Sequence, residues 1–198
     1  MVTSAISGEG KSFISTNLSI SLAGPSKKVL LMDIDLRNPR ISNLYKIGNV
    51  AGIAELLHNE VTLDKVIRRT ATENLFLLGA GMKRLSAAEF LLDGNIPELF
   101  VKLREQFDYI IVDTPPVRPV FDAYAISPHC DATLFVVRHG KTPKRVLQLV
   151  DDNIKLRPLH NVSIVFNGVK ERGFAKNDDG YGYGQGYGYG YGYANSKQ

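Results

Sequence analysis

The chain has 198 residues, 44% of them hydrophobic and 22% charged, which is the size and balance of one globular α/β domain with a large buried core. No apolar run approaches the eighteen or so residues needed to cross a bilayer, and a glycine-rich stretch at residues 5–12 stands where a secretory leader would lie. The net charge of +4 includes no block of five like charges, which argues against a nucleic-acid arm, and the single Cys130 precludes an internal disulfide and reads as a small core or near-surface thiol.

Taken in order, the chain opens on a short strand, Met1 to Ser4, followed by Ala5-Ile6-Ser7-Gly8-Glu9-Gly10-Lys11-Ser12. Glycines spaced by one before a lysine and a hydroxyl residue form the core of a phosphate-binding loop, although Ala5 stands where the first glycine of the full motif would be. Gly8 and Gly10 let backbone amides approach a polyphosphate, Lys11 supplies a cation for it, and Ser12 can ligate Mg²⁺. Ile14, Leu18 and Leu22 recur at four-residue spacing and predict the helix whose positive end completes such a site.

The apolar run Lys28 to Asp33 predicts a buried parallel strand ending in a carboxylate, and Asp35, Arg37 and Pro39 follow in an irregular exit. Small helices are expected around Ile53, Leu56 and Leu57 and around Leu63, Val66 and Ile67. Leu75 to Gly79 reads as a strand, and Ser86 opens a helical stretch with Phe90 and Leu91. Ile96, Leu99, Phe100 and Leu103 make the clearest amphipathic helix, leading into the strand Tyr109 to Asp113. Thr133 to Val137 is another strand, Val146, Leu149, Val150 and Ile154 form a second helical stripe, and Val162 to Phe166 is the last strand, ending at Asn167-Gly168.

Alternating strands and helices predict an α/β fold: a doubly wound parallel sheet with helices on both faces over residues 1–173. Ligands of such sheets bind at the carboxyl ends of the strands, where the glycine-rich loop, Asp33, Asp35, Asp113 and Asn167 all fall. From Phe174 the composition changes. Residues 174–198 carry Tyr181, Tyr183, Tyr187, Tyr189, Tyr191 and Tyr193 among glycines and read as a disordered tail that cannot build a core.

The combination S-G-E-G-K-S, L-L-M-D-I-D-L-R-N-P and Y-I-I-V-D-T-P-P with a tyrosine-rich tail resembles the cytoplasmic domain of bacterial tyrosine kinases, P-loop NTPases related to the ParA and MinD ATPases. F-N-G-V at 166–169 resembles the family's last strand. The resemblance implies an ATP- and Mg²⁺-dependent protein-tyrosine kinase whose nucleotide contacts are Ser7, Gly8, Glu9, Gly10, Lys11, Ser12, Phe13, Arg37 and Asn167. It implies metal ligation by Ser12, Asp33 and Asp113 and catalysis by Lys11, Asp33, Asp35 and Asp113. One of Asp33 and Asp35 would be the general base, with the choice between them open.

Further implications are autophosphorylation of the six tail tyrosines between subunits of an oligomer and a transmembrane activator segment or protein. A tyrosine phosphatase and sugar-pathway protein substrates are also implied, with no nucleic acid. The expected place is the cytoplasmic side of the bacterial inner membrane, and the expected role is in capsular or extracellular polysaccharide export. The family also carries a full first strand and an upstream helix with a Glu/Arg motif, which this sequence does not contain, so the chain reads as part of a longer polypeptide or a truncated one. Two alternatives stand beside the kinase: a nucleotide-binding scaffold that controls polysaccharide chain length, and a ParA/MinD-type ATPase, whose signature lysine would align with Ile6.

Overall fold

The computed structural model describes residues 1–82, 95–118, 122–146, 148 and 159–169. Seven strands form one sheet: β1 (Val2–Ser4), β2 (Val29–Asp33), β3 (Ile67–Arg69), β4 (Leu75–Leu78), β5 (Tyr109–Asp113), β6 (Thr133–Arg138) and β7 (Val162–Asn167). The described helices are α1 (Lys11–Leu22), α2 (Arg40–Leu44), α3 (Ile53–Leu57), α4 (Leu63–Val66), α5 (Asn95–Arg104) and α6 (Asp122–Ile126). The spatial order β3-β4-β2-β5-β1-β6-β7 puts the first strand deep in the sheet, with its neighbours supplied by distant segments.

The expected parallel sheet is present with one difference. Strand β3 runs antiparallel to β4, Ile67 opposite Leu78, and closes one edge of an otherwise parallel sheet. The sequence pattern puts Ile67 on a helix with Leu63 and Val66. In the structure that helix lasts one turn and gives way to a strand at Ile67. Propensity explains the change, because Val66-Ile67 is a β-branched pair. Helix α6 was not foreseen either, since no apolar stripe marks its five residues.

Strand β2 is buried at all five positions, as a central parallel strand covered on both faces should be. In helix α5, Ile96, Leu99, Phe100 and Leu103 are all buried, so the predicted stripe does face the core. Met32, Leu78, Val112 and Phe135 join that stripe in the main apolar cluster, while Val29, Leu31, Leu75 and Leu77 pack with Ile41 in a second. Cys130 is buried. No described helix is long and apolar enough to cross a membrane. The stretch from Ser86 with Phe90 and Leu91, the residues Leu149, Val150 and Ile154, and the tail with its six tyrosines lie outside the described residues.

Candidate active site

Strand β1 stops at Ser4, and the chain turns through residues 5–10 before α1 starts at Lys11. Gly8 and Gly10 adopt φ of 83° and 103°, the left-handed region that glycine enters without steric cost. A Cβ on Gly10 would lie 2.1 Å from Asn167 Nδ2, so the loop also needs glycine there for close approach. The loop is held from below by its own glutamate. The buried Glu9 carboxylate accepts the Ile6 amide at 2.8 Å and bonds the Thr142 hydroxyl. It is held from the side by Asn167 Nδ2, which donates to the Glu9 carbonyl at 2.8 Å, and by Arg138, which donates to the Gly8 carbonyl at 3.0 Å.

Lys11 is buried, and its ammonium lies 3.0 Å from Asp35 Oδ2, 3.5 Å from Ser12 Oγ and 3.9 Å from Asp113 Oδ2. Ser12 donates to Asp113 Oδ2 at 2.6 Å, and Ser15 Oγ lies 3.1 Å from Asp113 Oδ1. Asp113 and Asp33 sit opposite each other where β5 and β2 end. Asp33 points elsewhere than Asp35: its Oδ2 accepts both the amide and the hydroxyl of Ser42, at 2.8 and 2.7 Å. The two aspartates of the D-I-D segment are thus divided, Asp35 onto the lysine and Asp33 onto helix α2.

Burial dominates the electrostatics. Desolvation pushes Asp33 up to about 7, against the pull of the Ser42 hydrogen bonds, with Asp113 and Asp35 raising it further. Asp113 is pushed up to about 6 by the same cause, opposed by Lys11, Ser12 and Ser15. Asp122, at the start of α6, is a further buried carboxylate raised by desolvation. The Arg37 charge opposes that rise and the Asp35 charge adds to it.

A cavity of about 250 Å³ opens over the loop, walled by Gly8, Lys11, Ser12, the exposed ring of Phe13, Arg40 and Arg138. Inward-turned glycines, a lysine and two arginines suit a polyphosphate. Ser12, Asp35 and Asp113 oxygens around the lysine are hard donors of the kind Mg²⁺ takes. No three carboxylate, histidine or cysteine side chains among the described residues form a metal cage. Mg²⁺ is usually held through one or two protein groups, waters and substrate phosphates. A larger cavity of about 540 Å³, lined by Met1, Phe100, Tyr109 and His129 with Arg104, Asp108 and Asp131, lies at the opposite, amino edge of the strands and has no glycine or lysine in its lining.

Most sequence candidates are therefore neighbours: Ser7, Gly8, Gly10, Lys11, Ser12 and Phe13 line the cavity, Asp35 and Asp113 contact the lysine, and Asn167 braces the loop. Glu9 contributes structure with its side chain, leaving its backbone at the loop. Arg37 is exposed and is not among the residues that line the cavity. The sequence reading missed Ser15, Ser42, Asp122, Arg138 and Thr142. Ser15 is three residues after Ser12 on one helix, a spacing that signals a shared face. Arg138 sits where β6 ends, at the edge where ligands bind.

Residues 2–141 match the family model described as an AAA domain. The chain is 35% identical over 167 residues to the tyrosine-protein kinase CpsD of Streptococcus pneumoniae, covering 84% of this chain and 74% of that protein. The chain belongs to the bacterial tyrosine-protein kinases. It is also 36% identical over 169 residues to tyrosine-protein kinase ptk of Acinetobacter johnsonii, where 85% of this chain corresponds to 22% of the longer relative. Among solved structures, the kinase domain of Escherichia coli tyrosine kinase ETK superposes with a TM-score of 0.81 at 28% identity, covering 91% of this chain and 71% of that one. The VpsO kinase domain gives 0.80 at 30% identity, over 86% and 84%. The septum-site protein MinD of Pyrococcus horikoshii, at 22% identity and a TM-score of 0.68, shares the fold.

Proposed function

We propose that this chain is the catalytic domain of a protein-tyrosine kinase that transfers the γ-phosphoryl group of ATP to tyrosines of its own C-terminal cluster, in the service of capsular or extracellular polysaccharide export. The observation that carries the reading is the convergence of Lys11, Ser12, Asp35 and Asp113 beneath a glycine cradle, in a chain whose relatives are named tyrosine-protein kinases. Succinoglycan biosynthesis transport protein ExoP of Rhizobium meliloti, 35% identical over 167 residues, supports the polysaccharide link.

In this reading the amides of residues 7–12 and Lys11 bind the phosphates, and Ser12 and Asp113 hold Mg²⁺, which would neutralise phosphate charge. Asp33, bonded to Ser42, fixes the loop that carries Asp35. Asp35 takes the phenol proton, because its carboxylate reaches the lysine at the cavity while that of Asp33 is committed to α2. The phenol oxygen forms a bond to the γ phosphorus, the bond to the β–γ bridging oxygen breaks, and ADP leaves with the electron pair. A phenol ionising near 10 needs such a carboxylate at neutral pH. The domain works at the cytoplasmic face of the inner membrane with a transmembrane activator, and a phosphatase reverses the modification.

Intact mass after incubation with ATP and Mg²⁺ tests this. Steps of one phosphate are expected, absent from Lys11→Met and from the chain with all six tail tyrosines changed to phenylalanine. Nucleotide binding with no mass change in the presence of an activator segment would overturn the kinase in favour of a nucleotide-binding scaffold.

A further inference from the structure

The two edges of the sheet differ. Strand β3, at one edge, carries Arg68 and Arg69, charges of the kind that keep an edge from pairing with another chain. Strand β7, at the other, reads Val-Ser-Ile-Val-Phe-Asn, with no charge and no proline. Its pairing to β6 is fixed at both ends: the Asn161 carbonyl accepts from the Thr133 amide and the Asn167 carbonyl from the His139 amide. Backbone groups alternate along a strand, so Ser163 and Val165 also turn theirs toward β6. Val162, Ile164 and Phe166 therefore aim their amides and carbonyls at the open edge. Their side chains share one face and are 37%, 70% and 58% exposed.

Residues 180–193 have a matching pattern. Glycine occupies every even position from 180 to 192, and every odd position from 181 to 193 is tyrosine except Gln185. Extended, such a segment puts all its side chains on one face and bare backbone on the other. It carries no charge, and shifting it by two residues leaves the same face presented. Its glycines give it little strand propensity of its own, so it suits a template.

We propose that the β7 edge is the docking site for the tyrosine segment of a second copy of this chain, which adds there as an extended strand. This rests on the kinase reading above. A second copy is the donor because of direction. The chain leaves β7 at the loop end, so its own tail would have to use up about six of residues 168–180 running back along β7 before it could add in the parallel direction, whereas the tail of a second copy can enter the edge directly. An added strand from another copy ends at the same edge as Asn167, which touches the phosphate loop. From there the chain crosses β7 and β6 to reach the loop after β1, about 14 Å at the usual strand spacing, or roughly four extended residues. Sliding by two residues then brings each tyrosine in turn to the same place. Tyrosines laid over Ile164 and Phe166 cover an apolar face that is otherwise wet.

The test uses two full-length chains: an enzyme with its six tail tyrosines changed to phenylalanine, and a Lys11→Met chain as substrate. Transfer is followed by intact mass against substrate concentration, with a Glu/Tyr random copolymer as the second substrate. Ile164→Lys, which adds a charge to the edge, and Ile164→Pro, which removes only an outward amide, are introduced separately into the enzyme. Each is expected to raise KM for the tail at least tenfold while leaving kcat and the copolymer rate within twofold. A substrate chain carrying Gly186→Pro and Gly188→Pro should show the same rise with unmodified β7. Unchanged tail KM in these variants would overturn the proposal. So would smaller oligomers of the Ile164→Lys chain at unchanged KM, which would assign the edge to β7–β7 pairing. Transfer to neither substrate by the enzyme with wild-type β7 would instead remove the kinase reading itself.

Discussion

Replacing Asp33 by asparagine should make the folded chain more stable, and more so at high pH. The carboxylate is fully buried with its folded pKa near 7, against 3.8 when unfolded. Between those values the unfolded chain gives up a proton that the folded chain keeps, so stability falls as pH rises through the window. Integrated, Asp33 costs the fold about 1.7 kcal/mol at pH 5 and about 4 kcal/mol at pH 8. Asparagine removes that cost. Its carbonyl oxygen can still accept both bonds from Ser42, and what is lost is the weak 3.3 Å bond from the Asp35 amide. That loss, about 1 kcal/mol, is the same at both pH values and cancels in the comparison. Thermal unfolding of the nucleotide-free chain should therefore show a gain for Asp33→Asn about 2–3 kcal/mol larger at pH 8 than at pH 5. At about 2–4 °C per kcal/mol for a domain of this size, the difference in Tm shift is roughly 4–12 °C. An equal shift at both pH values would refute the placement of an ionisable group at that cost. Kinase activity should fall in the same variant, since the bond that is lost is the one that positions the Asp35 amide.

Lys11→Met removes the cation between Asp35 and Asp113, and a buried pair broken from one side costs about 3 kcal/mol. The loss should appear at pH 8 and shrink at pH 5 as Asp113, raised to about 6, takes a proton, and ATP binding by calorimetry should vanish. Gly10→Ala forces a Cβ into a φ of 103° and onto the Asn167 amide. It should lower ATP affinity at least tenfold, with part of the loss recovered in the Gly10→Ala/Asn167→Ala pair; no recovery would mean that strain alone is responsible. Thr142→Ala frees the Glu9 carboxylate on one side. A drop in Tm of about 4–8 °C is expected from two lost hydrogen bonds of about 1 kcal/mol each, since the hydroxyl also accepts from the Arg138 amide at 2.8 Å.

The sheet was legible because two central strands, β2 and β5, announce themselves by an unbroken apolar run that ends in a functional residue, whereas β1, Val-Thr-Ser, shows only through the loop that follows it. Lys28 to Asp33 and Tyr109 to Asp113 are of that kind, and α5 showed its buried face as a stripe. The elements that escaped are short: β3 has three residues and α6 five, too few to express a period. At the site, the motif residues could be named one by one, but their partners could not. Asp33 and Asp35 look equivalent in D-I-D, and the backbone turn between them sends one to Ser42 and the other to Lys11. Arg138 and Thr142 approach the loop from more than a hundred residues away, through strand order alone.

Charge at the site also specifies what must accompany the nucleotide. Asp35 and Asp113 contact Lys11 while Asp33, beside them at the strand ends, is bonded to Ser42; burial raises Asp33, and it raises Asp113 in spite of the lysine. A triphosphate brought in alone adds further negative charge and competes for the same lysine. Free ATP should therefore bind better at pH 6, where Asp33 is mostly protonated and Asp113 about half so, than at pH 8, where both are ionised. A divalent ion entering with the phosphates reverses the sign, because it favours the ionised carboxylates and drives off their protons. Titration calorimetry with ATP alone and with Mg²⁺–ATP, at both pH values, should show the two dependences running in opposite directions. With Mg²⁺, binding near pH 6.5 should release protons, read from the heats in buffers of different ionisation enthalpy. If affinity for free ATP rises from pH 6 to pH 8, the three aspartates do not govern the site's charge, and Lys11 is not held among them.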